Sequence, residues 1–180
     1  MKPKSLQELY LEQLRDLYDA EQQIIKALPE MIEASASEDL KEGLTEHLEV
    51  TKGQVTRLQQ IFTALGEKAK GEKCLGIEGV IDEGSNLIDG IDDPAVRDAA
   101  IIASAQRVEH YEIAGYGTTR TFATLLDDEG ASKLLQQTLD EEREADQTLT
   151  ALAEEVNVKA TKGKSVAGEK SEKPRKARIA

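Results

Sequence analysis

The sequence predicts an all-α fold: an antiparallel four-helix bundle with one long crossover that carries a short fifth helix. Three observations predict it. Apolar residues recur at helical spacing along four long stretches. Ala, Leu, Glu, Gln and Lys abound, while aromatics make up 3% and Trp is absent, which favours helix over sheet. The four stretches form two hairpins joined by a long middle segment, the connectivity of a bundle with one crossover.

The elements follow in order. The first helix is expected over residues 5–35, where Ser5 and Glu8 make an S-x-x-E capping box. Pro29 lies inside it and predicts a kink or an early end. The second helix is expected over residues 37–65, stopped by Gly66. Residues 66–75 read as a loop, and a short helix is expected over 77–88. Asp93 caps the third long helix, with Pro94 at its first position. That helix runs to about residue 126, where Asp127-Asp128-Glu129-Gly130 closes it. The fourth spans about 131–156. Residues 1–157 therefore read as one helical domain. Residues 158–180 are poor in apolar side chains and read as a basic, disordered tail.

Charge divides along the same boundary. Residues 159–180 hold eight Lys or Arg and two Glu, a net +6, so the overall charge of -12 leaves -18 on the rest. An acidic body disfavours nonspecific binding to nucleic acid, for which the tail is the one candidate. The single cysteine, Cys74, permits no internal disulfide and fits a reducing compartment; as a loop residue it reads as incidental. No apolar leader and no run of membrane-spanning length is legible, so a cytoplasmic protein without a membrane partner is expected.

Carboxylates fall where apolar residues belong. On the first helix Glu21 shares a stripe with Leu14, Leu17, Ile24 and Leu28, while Glu8 and Asp19 point away. On the fourth, Glu142 lies inside the stripe of Leu135, Thr138, Ala145 and Leu149, and Asp146 follows one turn on. The second helix holds Glu46-His47-Leu48-Glu49, which looks like an E-x-x-E ligand pair. Its stripe of Leu40, Leu44, Leu48, Thr51, Val55 and Leu58 instead turns both acids outward and His47 inward. The third helix is apolar nearly all round, as a buried helix should be. Glu109 and Glu112 share its face with Ala105, Val108 and Tyr116; His110 points the other way and suits a structural or dimer-interface role. Tyr18, Tyr111 and Tyr116 read as packing residues or as donors to carboxylates.

A single acid in an apolar stripe is ordinarily a rim residue or an ion-pair partner. Several converging in one bundle are costly to bury unless a cation meets them. A metal centre built from Glu21, His47, Glu109, Glu112, Glu142 and Asp146 is therefore expected.

These residues resemble the ferritin-like superfamily, which places a Glu on each of two helices and Glu-x-x-His on each of the other two. Glu109-His110-Tyr111-Glu112 resembles the third-helix segment of rubrerythrins, in which both acids bind iron. More closely, residues 5–157 resemble the YciE/YciF type of bacterial stress protein. The matching segments are Leu17-Tyr18-Asp19-Ala20-Glu21, His47-Leu48-Glu49, Val96-Arg97-Asp98-Ala99-Ala100, Val108-Glu109-His110-Tyr111-Glu112-Ile113-Ala114 and Leu139-Asp140-Glu141-Glu142. The resemblance implies a ferritin-like, homodimeric, cytoplasmic protein with Glu21, Glu109, Glu112 and Glu142 as ligands; His47 and Asp146 rest on helical phase. It supplies no settled activity. The chain departs from the superfamily in lacking both Glu-x-x-His motifs: Thr51-Lys52-Gly53-Gln54 and Glu142-Arg143-Glu144-Ala145 stand in their places.

Carboxylate oxygens suit iron or manganese, and bridging acids can hold a dinuclear pair. Three functions follow as expectations. They are a redox protein of ferroxidase or peroxidase type in stress defence, a metal binder without turnover, and a helical interaction module whose site has decayed. A homodimer is expected from the resemblance and from the apolar face of the third helix: Ala100, Ala103, Tyr111, Ala114 and Phe122.

Overall fold

The computed structural model describes residues 2–162 of the chain. They form α1 (Leu6–Ala34), α2 (Glu38–Ala64), α3 (Leu75–Ile88), α4 (Pro94–Leu125) and α5 (Glu129–Ala160). The tail expected over residues 158–180 starts later than its composition suggests, since 158–160 continue α5; residues 163–180 lie outside the described residues. Each long helix packs on two others: α1 on α2 and α4, and α5 on α2 and α4, which closes the bundle, while α3 lies across α1 and α4. Among the described residues no helix is long and apolar enough to cross a membrane.

Caps set the helix ends. Ser5 Oγ accepts from Glu8 N at 3.1 Å, as its position predicts, but the Glu8 carboxylate accepts from Lys4 N, one residue beyond the reciprocal partner of a capping box. Asp93 Oδ1 accepts from Ala95 N and Val96 N ahead of Pro94. Gly66, at φ +70, closes α2: Glu67 N donates to Phe62 O and Gly66 N to Thr63 O, which occupies carbonyls the helix leaves free. Pro29 does not end α1, which continues to Ala34.

Ser37 stands at the start of α2 without a side-chain cap; a residue from another helix instead holds the backbone just ahead of the first turn. The buried Asp98 of α4 accepts from Ala36 N at 2.8 Å and Ser37 N at 2.9 Å. Asp98→Ala would leave two backbone donors without acceptors and is expected to cost about 1–3 kcal/mol. Urea unfolding checks this; an unchanged midpoint would show that solvent replaces the carboxylate.

The segment between α2 and α3 is fastened to α1. Glu72 N donates to Arg15 O, Cys74 N to Asp19 Oδ2 at 2.8 Å, and Gln23 Nε2 to Cys74 O. Cys74 is therefore not incidental. Its side chain is fully buried, 3.0 Å from the Tyr111 hydroxyl and 3.2 Å from Asp16 Oδ2. Tyr111 likewise is not part of a free face: a Cβ at Gly76 of α3 would come within 2.6 Å of its ring, so glycine allows α3 to lie over it. Phe122 packs on the core as well, which leaves Ala103 and Ala114 as the exposed members of the expected dimer face.

The core is divided. One apolar cluster fills the end holding Ile24, Leu28, Leu44, Ile101 and Leu149; the other fills the end holding Tyr10, Leu14, Leu58, Phe62 and Leu135. Between them, at the waist of the bundle, the buried side chains are Glu21, Thr51, Gln54, Glu109, Glu112 and Glu142.

Candidate metal centre

Three helices carry the acids to the waist. Glu21 follows the buried Leu17 and Ala20 on α1. Glu109 and Glu112, at i and i+3, face inward from α4 beside Ala105, Val108 and Tyr116. Glu142 stands one turn beyond Thr138 and Leu139 on α5. All four carboxylates are between 0% and 2% exposed. From α2, His47 reaches the same point, its Nε2 3.4 Å from Glu109 Oε1.

The donor atoms form two groups, each within 4.8 Å: His47, Glu109 and Glu142 in one, and Glu21, Glu112 and Glu142 in the other. Glu142 belongs to both. Many of these atoms are buried without a hydrogen-bond partner: Glu21 Oε2, Glu109 Oε2, Glu142 Oε2, both Glu112 oxygens and His47 Nε2. Among the described residues no Lys or Arg pairs with any of the four acids.

Neighbouring side chains hold the acids in place. Tyr116, fully buried, donates its hydroxyl to Glu21 Oε1. Gln54 donates Nε2 to Glu142 Oε1. Arg57 takes the adjacent Glu141 and also donates Nε to Thr138 Oγ1 at 3.1 Å, so its charge stays at the edge of the site. Thr51 donates to His47 O at 2.8 Å.

Burial and crowding govern the protonation states. Desolvation first, and the neighbouring carboxylates second, hold Glu21, Glu109 and Glu112 well above the ordinary carboxylate range. Burial also lifts Glu142, to about 7; its hydrogen bonds from Glu109 and Gln54 restrain the rise. Burial drives His47 down to about 4, so near neutrality its imidazole is uncharged and can offer a lone pair. Four acids meeting in a dry interior cannot all ionise unless cations arrive, and ligands shed their protons as a metal binds. The donor set, oxygen-rich with one imidazole, fits iron or manganese.

Five of the six expected ligands come together here. Asp146 does not. One turn beyond Glu142 the helix has rotated by about 40°, which turns Asp146 toward the α4–α5 seam. There Gln106 Nε2 donates to its Oδ1 at 3.1 Å, and the exposed His110 stands 3.4 Å away. Asp146 still acts on the centre through its charge, which adds to the lift on Glu109. Glu46 and Glu49 are exposed, as the phase of α2 predicts. Gln54 and Arg57 are additional participants. The same phase argument reaches Gln54, which sits among Thr51, Val55 and Leu58 on the inward face of α2.

Among the described residues two clefts reach this centre, and both are lined by His47 and Glu109. One, of about 220 Å³, lies between α1, α3 and α4 and is walled by side chains such as Leu28, Met31, Val80 and Val108, with Glu30 and Asp89 at its margin. The other, of about 280 Å³, lies between α2 and α5 and is lined by Leu44, Val50, Leu149 and three acids, Glu46, Glu141 and Glu144.

A closed all-α bundle with a long crossover has the ferritin-like fold, and here carboxylates are buried at its waist. The chain belongs to the family described as Domain of unknown function (DUF892), which matches residues 5–162. Protein YciF of Escherichia coli (strain K12) is 43% identical over 162 residues, covering 89% of this chain and 98% of that protein. The solved structure of the E. coli stress protein YciF is 41% identical with a TM-score of 0.84, covering 87% of this chain and 99% of that one. A ferritin-like fold is also present in a two-domain protein of Anabaena variabilis. It shares 15% identity at a TM-score of 0.56, covers 98% of this chain and 42% of that one, and speaks to the fold alone.

Proposed function

We propose that this chain is a stress-defence protein that holds two iron or manganese ions at the waist of its bundle and consumes peroxide, or oxidises Fe(II), there. The observation that carries the reading is Glu142, a buried carboxylate common to two groups of otherwise unpartnered donors. His47 and Glu109 would hold one ion, Glu21 and Glu112 the other, and Glu142 would bridge them. When bound, two reduced ions would supply the two electrons, one from each, that with two protons turn a peroxide into two waters.

The chain's own residues supply the setting. The Tyr116 hydroxyl fixes Glu21, and the Gln54 amide fixes Glu142; such supporting contacts typically matter 10–100-fold in metal affinity. Without metal, a proton resides on the carboxyl groups, and Glu142, lifted to about 7, is the acid that releases it near neutral pH. The apolar clusters cover the ligands from either end of the bundle.

The relation to a bacterial stress protein supports a role in stress for this chain; a cytoplasmic location and a homodimer are part of the same proposal. A monomeric mass by light scattering would remove the dimer. A second reading, binding without turnover, is favoured by Thr51 and Gln54 standing where the superfamily has Glu-x-x-His. Metal analysis after loading with Fe(II) or Mn(II), followed by peroxide consumption, separates the two. The loaded chain is expected to carry stoichiometric metal and to consume peroxide, with Glu21→Ala losing most of the rate. Stoichiometric metal with no gain over buffer would leave binding alone; a chain that stays metal-free would remove the site.

A further inference from the structure

The two clefts share their inner end, His47 and Glu109, yet differ in charge. The cleft under α3 offers largely hydrocarbon walls, which a hydrated divalent cation crosses only at high cost. The α2–α5 cleft also has apolar walls, among them Leu44, Val50, Leu149 and Leu152, but carries Glu46, Glu141 and Glu144 besides Glu109. Glu46 and Glu144 are exposed and pair with no Lys or Arg among the described residues. Glu141, in the same wall, is immobilised by Arg57 and also accepts from Gln137. At the base, Glu109 is 2% exposed and its Oε2 has no partner. A carboxylate oxygen without a partner, Glu109 Oε2, is therefore buried at the end of an open passage that carries acids.

We propose that the α2–α5 cleft is the route by which divalent cations reach the centre, with Glu46 and Glu144 capturing the ion and Glu109 and His47 receiving it. This rests on the metal-binding reading above. Each step exchanges a water of the ion for a carboxylate oxygen or, at His47, for the imidazole nitrogen, with no change of oxidation state. The body's excess negative charge draws cations in, and an acid-lined cleft with low-dielectric walls focuses that field, an effect worth about 10–10³-fold in association rate.

Co(II) is a suitable probe, because its visible absorbance changes when oxygen and nitrogen ligands replace water. Uptake by the full chain is followed by stopped flow at low salt. Glu46→Lys with Glu144→Lys is expected to slow loading by about tenfold or more, the lower end of the focusing effect, while the final absorbance stays the same. Glu46→Gln with Glu144→Gln should slow it less, and both differences should shrink as salt rises. Glu30→Lys with Asp89→Lys, at the margin of the other cleft, should load faster than the α2–α5 charge reversal. Equal rates in the parent and the Glu46/Glu144 variants, or an equal slowing by the Glu30/Asp89 pair, would overturn the route while leaving the site. A parent chain with no Co(II) spectrum at equilibrium would overturn the metal reading, and the route with it.

Discussion

Glu142→Ala is expected to abolish stoichiometric metal binding altogether, because the side chain belongs to both donor groups. Loss of Glu21 or Glu112 removes a donor from one group, and loss of His47 or Glu109 from the other. Loss of Glu142 leaves two isolated pairs. Metal analysis after loading and desalting checks the ranking, which predicts partial occupancy in Glu21→Ala and His47→Ala and background occupancy in Glu142→Ala. A structural explanation makes a different forecast for the conservative variant. If the acid only filled space, Glu142→Gln would bind metal as the parent does. If it is a ligand, Glu142→Gln loses the metal yet folds without it at least as stably as the parent at pH 8, since one buried charge is gone. Equal occupancy in Glu142→Gln and the parent would remove the bridging role.

The second large effect is on stability. Without metal, the folded chain is expected to weaken as pH rises from about 5 to 8, the reverse of ordinary acid unfolding. Glu142 has a folded-state pKa of about 7 against 4.5 for the ordinary side chain. Between those values the folded state binds more protons than the unfolded one, so stability falls with pH. That single group accounts for about 3 kcal/mol, at 1.36 kcal/mol per pKa unit. Glu21, Glu109 and Glu112 act in the same direction. His47 opposes them: its folded-state pKa of about 4 lies below 6.5, so it adds stability as pH rises through that interval. One histidine works against four carboxyls, and the carboxyls prevail. Metal should reverse the trend at pH 8, since a cation at a thousand times its dissociation constant adds about 4 kcal/mol. Thermal melts at pH 5 and pH 8, with chelator and with Mn(II), read both halves. A metal-free chain more stable at pH 8, and indifferent to Mn(II), would count against the centre.

Helical phase located most of this arrangement. Glu21 and Glu142 each occupy a position that repetition of Leu and Ile marks as interior, so their direction is legible without coordinates. The same rule separates His47 from its outward neighbours Glu46 and Glu49. It loses resolution away from the centre of a stripe, which is why Asp146, rotated by about 40° from Glu142, turns to the seam with α4. What phase cannot reveal is pairing between distant segments. Asp98 reads as one more acid on α4 until its carboxylate is seen under the start of α2. Cys74 reads as a loop residue until Asp19 and Gln23 draw that loop onto α1. Arg57 goes unnoticed for the same reason: its partner, Glu141, lies 84 positions away.

The division of the core has a consequence for how such a protein changes over generations. Each oily end carries its own packing, and the ligands lie between the two. An alteration of side-chain volume at Ile101, which lies about 12 Å of helix rise along α4 from Glu109, is distant enough for the two effects to add independently. The chain can thus drift at its extremities under selection for temperature or partners while its chemistry stays constant, and its chemistry can be retuned at the middle while the scaffold persists.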